Sequence, residues 1–159
     1  MLTEHAIHQT ISKSSSGSMS AEIDFDQQFK SEGLNFANDF YTTDKQMRLT
    51  LSSLQMLENT DSKKVIRGIE MVFAADVVSG TYSFQDKQVS ATFWMIFADD
   101  QQSLYRSFGA DQGSVTLEFD EEKENCHGTF SFTSNGPGAT VLTVRAGEFS
   151  VSGRDDFTL

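Results

Sequence analysis

The chain has 159 residues, a formal net charge of −11 and a hydrophobic share of 38%. Its length fits one domain, with a core large enough to fold without a disulfide or a structural metal. The negative charge repels nucleic-acid phosphates and anionic lipid headgroups, which argues against nucleic-acid binding. The same charge is compatible with a basic protein partner, with divalent cations, or with a surface that is simply soluble.

The N-terminal part lacks sustained periodicity, and residues 12–20 are rich in serine. This composition predicts a flexible lead over residues 1–19, followed by a single domain over residues 20–159. No stretch has the length and apolarity of a transmembrane segment, and residues 1–11 do not read as a signal peptide. We therefore expect a cytoplasmic protein, or a secreted or envelope protein if a signal has been removed.

The first strand signals lie between residues 21 and 57. Residues 21–29 alternate apolar and acidic side chains, which predicts a strand. Residues 31–39 are turn-rich, and the spacing of Phe36 and Phe40 predicts a short helical turn. Residues 46–57 fit a long strand or a short helix, and we favour the strand because Leu49-Thr50-Leu51 keeps a period of two.

One short phrase occurs twice, as Gly-Thr-Tyr-Ser-Phe at residues 80–84 and as Gly-Thr-Phe-Ser-Phe at residues 128–132. Each copy follows an alternating run and an acidic turn, around Asp76 in the first and Asp120 in the second. This arrangement predicts two copies of one β-hairpin.

The longest alternation, at residues 89–97, is apolar on one face and partly apolar on the other, where Trp94 and Ile96 lie. It predicts a central strand that is covered on both sides. Residues 98–111 read as a long acidic connection. Together with the strand signals up to residue 152, about nine short strands predict an all-β antiparallel sandwich or a small barrel.

The sequence of residues 113–153 includes Gly-Ser-Val-Thr-Leu-Glu-Phe-Asp, His-Gly-Thr-Phe-Ser-Phe-Thr and Ala-Gly-Glu-Phe-Ser-Val-Ser-Gly. This order of acidic turn and strands resembles the C-terminal part of small uncharacterised all-β domains in bacterial envelope lipoproteins. The resemblance implies a β-sandwich and assigns no residue to an activity. The start of the chain departs from such proteins, because it has no lipoprotein signal or lipobox cysteine.

Cys126 and His127 are adjacent, which is compatible with a nucleophile and its base. On a strand, however, neighbouring side chains point to opposite faces. We therefore expect no dyad, and we expect Cys126 to belong to the core. His5 and His8 would share one face of a helix with Glu4, a spacing that could hold zinc.

Acidic turns provide the remaining metal hypothesis. Asp76, Asp120 and Glu122 are the best candidates for a calcium site, because calcium prefers several hard oxygen ligands. The spacing of an EF-hand loop is absent, and no other cofactor is predicted.

No catalytic motif is recognisable in the chain. We therefore predict a non-enzymatic binding or accessory protein that engages another protein through an acidic, aromatic-bearing surface, such as an inhibitor or immunity-type protein. The charge favours a basic partner. A membrane-active, toxin-like β protein and a carbohydrate-binding or polysaccharide-acting domain are the alternatives. The oligomeric state stays open.

Overall fold

The computed structural model describes residues 10–13, 15–24, 27–41, 46–120, 122–135 and 141–158. These residues contain thirteen strands and a single 3-10 turn, Phe84–Asp86. The strands are β1 (Thr10–Lys13), β2 (Ser16–Ile23), β3 (Gln27–Lys30), β4 (Gly33–Tyr41), β5 (Gln46–Asn59), β6 (Lys63–Ala74), β7 (Gly80–Ser83), β8 (Ser90–Asp99), β9 (Ser103–Gly109), β10 (Gln112–Asp120), β11 (Asn125–Asn135), β12 (Val141–Ser152) and β13 (Asp156–Thr158). Within this described part, no helix has the length and apolar character needed to cross a bilayer.

The strands form two open antiparallel sheets. The six-stranded sheet has the order β3-β2-β12-β11-β10-β7, and the five-stranded sheet has the order β4-β5-β6-β8-β9. A separate pair joins β1 to β13. The prediction of an all-β sandwich is therefore confirmed. The strands are longer and more numerous than the nine predicted, and β5 alone has 14 residues.

The core lies between the two sheets and is rich in phenylalanine. Strand alternation builds it: on β10, Val115 and Leu117 are buried while Thr116 and Glu118 face solvent. Burying each large apolar side chain contributes about 1.5–3 kcal/mol. The largest fully buried side chains include Phe29, Phe36, Phe73, Phe93, Met19, Leu49, Leu51, Ile69 and Met71.

One buried cation connects the sheets. The side chain of Arg67 on β6 is almost completely buried, and its Nη2 donates to the backbone oxygen of Gln28 on β3, 2.5 Å away. Its Nε donates to Gln55 Oε1 at 3.0 Å, and its guanidinium lies 5.7 Å from the ring centre of Phe29. Burial lowers the pKa of Arg67, because desolvation disfavours the charged form.

The prediction of two equivalent hairpins is wrong. The second copy does form a hairpin, of β10 and β11, but β6 pairs with β5 and β8 while β7 pairs with β10 in the other sheet. The two copies of the phrase therefore flank β10 in the same register. Thr81 and Thr129 both lie opposite Thr116, and Gly80 and Gly128 both lie opposite Leu117.

The acidic connection predicted for residues 98–111 is instead a hairpin of β8 and β9. Asp99 Oδ1 accepts hydrogen bonds from the backbone nitrogens of Gln101 and Gln102, both at 2.8 Å. These bonds lower the pKa of Asp99, since they stabilise its carboxylate. The strand β9 was concealed because all but one of its residues are exposed, so no buried face produces a regular alternation.

The helical turn predicted around Phe36 is also wrong. Phe36 lies on β4 opposite Leu51, and both side chains are buried. At the N-terminus, β2 begins at Ser16 and Met19 is buried, so an ordered strand replaces the end of the predicted flexible lead. Residues 145–147 form a bulge within β12.

Candidate functional site

The outer face of the five-stranded sheet carries apolar side chains where a solvent-facing sheet usually has polar ones. Cross-strand pairing places Met56, Ile66, Ile96 and Tyr105 opposite one another on four adjacent strands. Tyr105 is 62% exposed and Met56 is 37% exposed. We call this surface the apolar face, and it consists of Leu54, Met56, Ile66, Trp94, Ile96 and Tyr105.

Trp94, the single tryptophan of the chain, lies at the centre of the apolar face. It sits directly opposite Gly68 on the neighbouring strand. A Cβ atom on Gly68 would lie 2.3 Å from Trp94 Cζ2, so the indole packs over the backbone of β6 where only glycine leaves room. Gly68 thereby leaves a space into which the Trp94 indole packs, and this contact fixes the ring on the sheet. We call the contact of Trp94 with Gly68 the seat of the indole.

The opposite side of the same sheet is also apolar near the β8–β9 hairpin. Phe97 and Leu104 pair across these strands on the side that faces the core, yet they are 40% and 44% exposed. They border a depression of about 270 Å³ that Lys63 and Lys64 also line. The β8–β9 hairpin therefore exposes apolar side chains on both sides.

The outer face of the six-stranded sheet has a contrasting character. The repeated phrase places hydroxyl side chains in register on either side of β10, and Thr81 Oγ1 lies 3.0 Å from Thr116 Oγ1. We call this surface the hydroxyl face, and it consists of Thr81, Ser83, Ser114, Thr116, Thr129 and Ser131.

Beside the hydroxyl face, His127 Nε2 lies 2.8 Å from Glu118 Oε2. Both side chains are largely exposed, so the pair contributes little to stability. Glu118, His127 and Glu148 line one depression of about 410 Å³. Two carboxylates and a histidine therefore border one depression on this side of the sheet.

Cys126 and His127 point to opposite sides of β11, as the sequence predicted. The Cys126 thiol is buried in the core, whereas the side chain of His127 is 60% exposed. Burial raises the pKa of Cys126 to about 12, although nearby Arg154 acts in the opposite direction. The thiol is therefore neutral at physiological pH. It cannot act as a nucleophile that His127 activates as a base.

The structure does not bring the predicted calcium ligands into one site. Asp76 lies in the connection from β6 to β7, and Asp120 Oδ1 accepts a hydrogen bond from the Lys123 nitrogen at 3.2 Å within the β10–β11 turn. Among the residues that the structure describes, no group of three His, Cys, Asp or Glu side chains could hold a metal ion. The zinc hypothesis for Glu4, His5 and His8 lies outside the described residues.

Sequence reasoning missed the apolar face. The signal was present in residues 89–97, whose second face is partly apolar, but we interpreted it as a strand covered on both sides. In the structure Trp94 and Ile96 are partly exposed beside the exposed Met56 and Tyr105. The outward apolar residues on β5, β6 and β9 would have indicated an apolar surface rather than a covered strand. Only the strand order, however, brings them next to one another.

The fold defines the chain as an open all-β sandwich with one apolar and one hydroxyl-bearing outer face. No family model matches the chain, and no curated protein or solved structure matches it. The resemblance of residues 113–153 to lipoprotein domains stays a prediction.

Proposed function

We propose that this protein is a non-enzymatic binding protein that engages another protein through the apolar face. The observation that supports the proposal is the row of Met56, Ile66, Ile96 and Tyr105 across four strands on the outer side of a sheet. Contiguous exposed apolar surface is typical of interaction sites, and burying it contributes about 25 cal/mol per Å².

The composition of the face favours a protein partner. Tryptophan, tyrosine and methionine are enriched in the centres of protein interfaces, and a tryptophan held in one position loses little entropy on binding. Trp94 is held in this way by its seat on Gly68. We expect Trp94 and the adjacent Tyr105 to contribute most of the binding energy.

The net charge of −11 supports a basic partner. Charge over the whole molecule accelerates encounter with an oppositely charged protein, whereas apolar contacts slow dissociation. We therefore expect added salt to lower the association rate steeply and to leave the dissociation rate nearly constant. This refines the acidic, aromatic-bearing surface expected from sequence, since the acidic charge and the aromatic contacts act on different rate constants.

The partner can be found by affinity capture from the lysate and culture medium of the source organism, with three immobilised proteins. The first is the wild type, and the second combines Leu54→Gln with Met56→Gln, which makes the apolar face polar without changing the net charge. The matched control combines Ser18→Gln with Ser131→Gln on the outer face of the six-stranded sheet, where both serines are exposed.

We expect one protein to be retained by the wild type and by the control, and to be lost from the apolar-face variant. Retention by all three proteins would contradict the proposal, as would loss from the control alone. With the purified partner, the fluorescence of Trp94 gives a direct readout: its emission should shift to shorter wavelength when the partner excludes water from the face.

Neutral lipid vesicles distinguish the membrane alternative. A binding protein should leave a trapped dye inside neutral vesicles at any pH, and Trp94 emission should not change on adding them. Dye release together with a blue shift would favour the membrane-active alternative over the proposal.

A further inference from the structure

The strand β9 is the open edge of the five-stranded sheet. It extends over Ser103–Gly109 and has one strand neighbour, β8, among the residues that the structure describes. An exposed edge presents unpaired N–H and C=O groups, which natural proteins usually protect.

The other three edge strands of the two larger sheets are protected in this way. β3 and β7 have four residues each, and short edge strands are poor templates for pairing. β4 is longer, but the Asp155 nitrogen donates to the Phe36 oxygen at 2.7 Å, and the Phe36 nitrogen donates to Ser15 Oγ at 3.0 Å. The seven-residue β9 is therefore the edge best able to accept another strand.

The hydrogen-bond pattern shows which groups of β9 face outward. The Asp99 nitrogen donates to the Gln102 oxygen, and the Ala110 nitrogen donates to the Ala91 oxygen, so both pairs are hydrogen-bonded pairs of the β8–β9 ladder. In an antiparallel ladder, hydrogen-bonded and non-hydrogen-bonded pairs alternate. Leu104, Arg106 and Phe108 are thus bonded to β8, whereas Ser103, Tyr105 and Ser107 direct their backbone groups away from it.

The side chains along this edge favour an apolar neighbour with one acidic position. Tyr105 belongs to the apolar face, and Leu104 borders the depression on the other side of the sheet. Arg106 is exposed and forms no ion pair with a described residue. A strand added to β9 would place one of its side chains close to Arg106, in a non-hydrogen-bonded pair where side chains approach most closely.

We propose that β9 pairs with an extended segment of the partner protein, which adds a sixth strand to the five-stranded sheet and places an apolar side chain beside Tyr105 and an acidic one beside Arg106. This inference rests on the proposed function, because it specifies how a partner on the apolar face is held. The added backbone hydrogen bonds give affinity, and the alternating side chains give selectivity.

A second copy of the chain fits this edge less well. Antiparallel pairing of two β9 strands about Tyr105 would place Leu104 of one copy beside Arg106 of the other, which leaves the arginine without an acidic neighbour. Each copy also carries a charge of −11, so the copies repel each other. The charges therefore favour a different protein.

The test uses a library of random nine-residue peptides displayed on phage and selected on the wild-type protein. We expect the enriched peptides to be rich in β-branched residues, with an acidic residue next to an apolar one. An enriched peptide, synthesised and added to the protein, should slow amide hydrogen exchange at Ser103, Tyr105 and Ser107. The amides of Leu104, Arg106 and Phe108 are already bonded to β8 and should change little.

Ser107→Pro removes one outward N–H and leaves the ladder to β8 intact, because proline is tolerated where an edge N–H faces solvent. We expect it to weaken peptide binding about tenfold, the effect of one lost hydrogen bond. Ser107→Ala keeps the N–H and is the matched control, expected to stay within about twofold of wild type. Circular dichroism checks that both variants are folded.

Three results would overturn the inference: no enriched peptide, equal affinity for Ser107→Pro and wild type, or exchange protection outside the outward amides of β9, which by the same alternation include that of Gly109. The apolar-face variant separates the two proposals. If Leu54→Gln with Met56→Gln abolishes capture of the partner while Ser107→Pro does not, the apolar face binds the partner and the edge does not. If Ser107→Pro alone is impaired, the edge binds and the proposed function of the apolar face fails.

Discussion

The two outer faces of the sandwich differ although both sheets are built by the same alternation. On the five-stranded sheet, Met56, Ile66 and Ile96 face outward in one row. On the six-stranded sheet, Thr116 and Thr129 occupy the equivalent outward positions. Because both sheets bury their inner faces in a shared core, an apolar outer face is not needed for folding. This contrast is why we propose binding at one face only.

The largest expected effect is a loss of free energy of unfolding, and it distinguishes an inner from an outer position on the same strand, β5. Leu51→Ala should lower the free energy of unfolding by about 2–5 kcal/mol, because the side chain is fully buried and leaves a cavity. Met56→Ala should cost less than about 1 kcal/mol, since its side chain is partly in water already. Urea unfolding measures both, and equal losses would contradict the assignment of the apolar face to the surface.

The next effect concerns the seat of Trp94. Gly68→Ala should lower the free energy of unfolding by about 1–3 kcal/mol, because the new methyl group collides with the indole and with the Ser53 oxygen. The displaced indole should emit at longer wavelength. Gly109→Ala on β9 is the matched control, since its Cβ meets nothing within 4 Å. An unchanged emission spectrum for Gly68→Ala would refute the seat.

A smaller effect concerns the layer beneath the hydroxyl face, where Cys126 is buried. Its pKa of about 12 in the folded protein exceeds the value of about 8.5 expected when the chain is unfolded. Its contribution to stability is therefore complete below pH 8.5 and is lost as pH rises towards 12. At pH 9.5 the loss should be about 1 kcal/mol.

Urea unfolding at pH 7.5 and pH 9.5 measures this loss, and Cys126→Ala should remove it. Alkylation gives an independent check, because iodoacetamide should react with Cys126 only as fast as the protein unfolds. His127, on the outer side of the same strand, should react readily with diethylpyrocarbonate in the folded protein. Rapid alkylation of folded protein would show that the cysteine is not in the core.

The smallest effect on stability is expected for the variants that test binding. Leu54→Gln with Met56→Gln, and Ser18→Gln with Ser131→Gln, should each alter the free energy of unfolding by no more than about 1 kcal/mol, because all four positions are solvent-facing. Thermal denaturation provides the measurement. A large loss for the apolar-face pair would mean that these side chains stabilise the fold, which would weaken the case that they serve a partner.

Periodicity predicted individual strands best where one face is buried and the other solvated. The alternation of β10 is an example, since Val115 and Leu117 face the core. The opposite orientations of Cys126 and His127 followed from the same rule. β9 was missed because an exposed edge strand has no buried face to generate a pattern, and β4 was missed because its turn-forming residues concealed the strand.

The sequence by itself determined the fold class and the side of each well-patterned strand that faces the core, because these depend on local alternation. Only the tertiary structure decided that the two copies of the repeated phrase flank β10, since the connection after β6 carries the chain into the other sheet. It also aligned Met56 and Ile66 with Tyr105, which belongs to a hairpin much later in the chain, in one face. Strand order is set by packing between distant segments, and local patterns do not encode it.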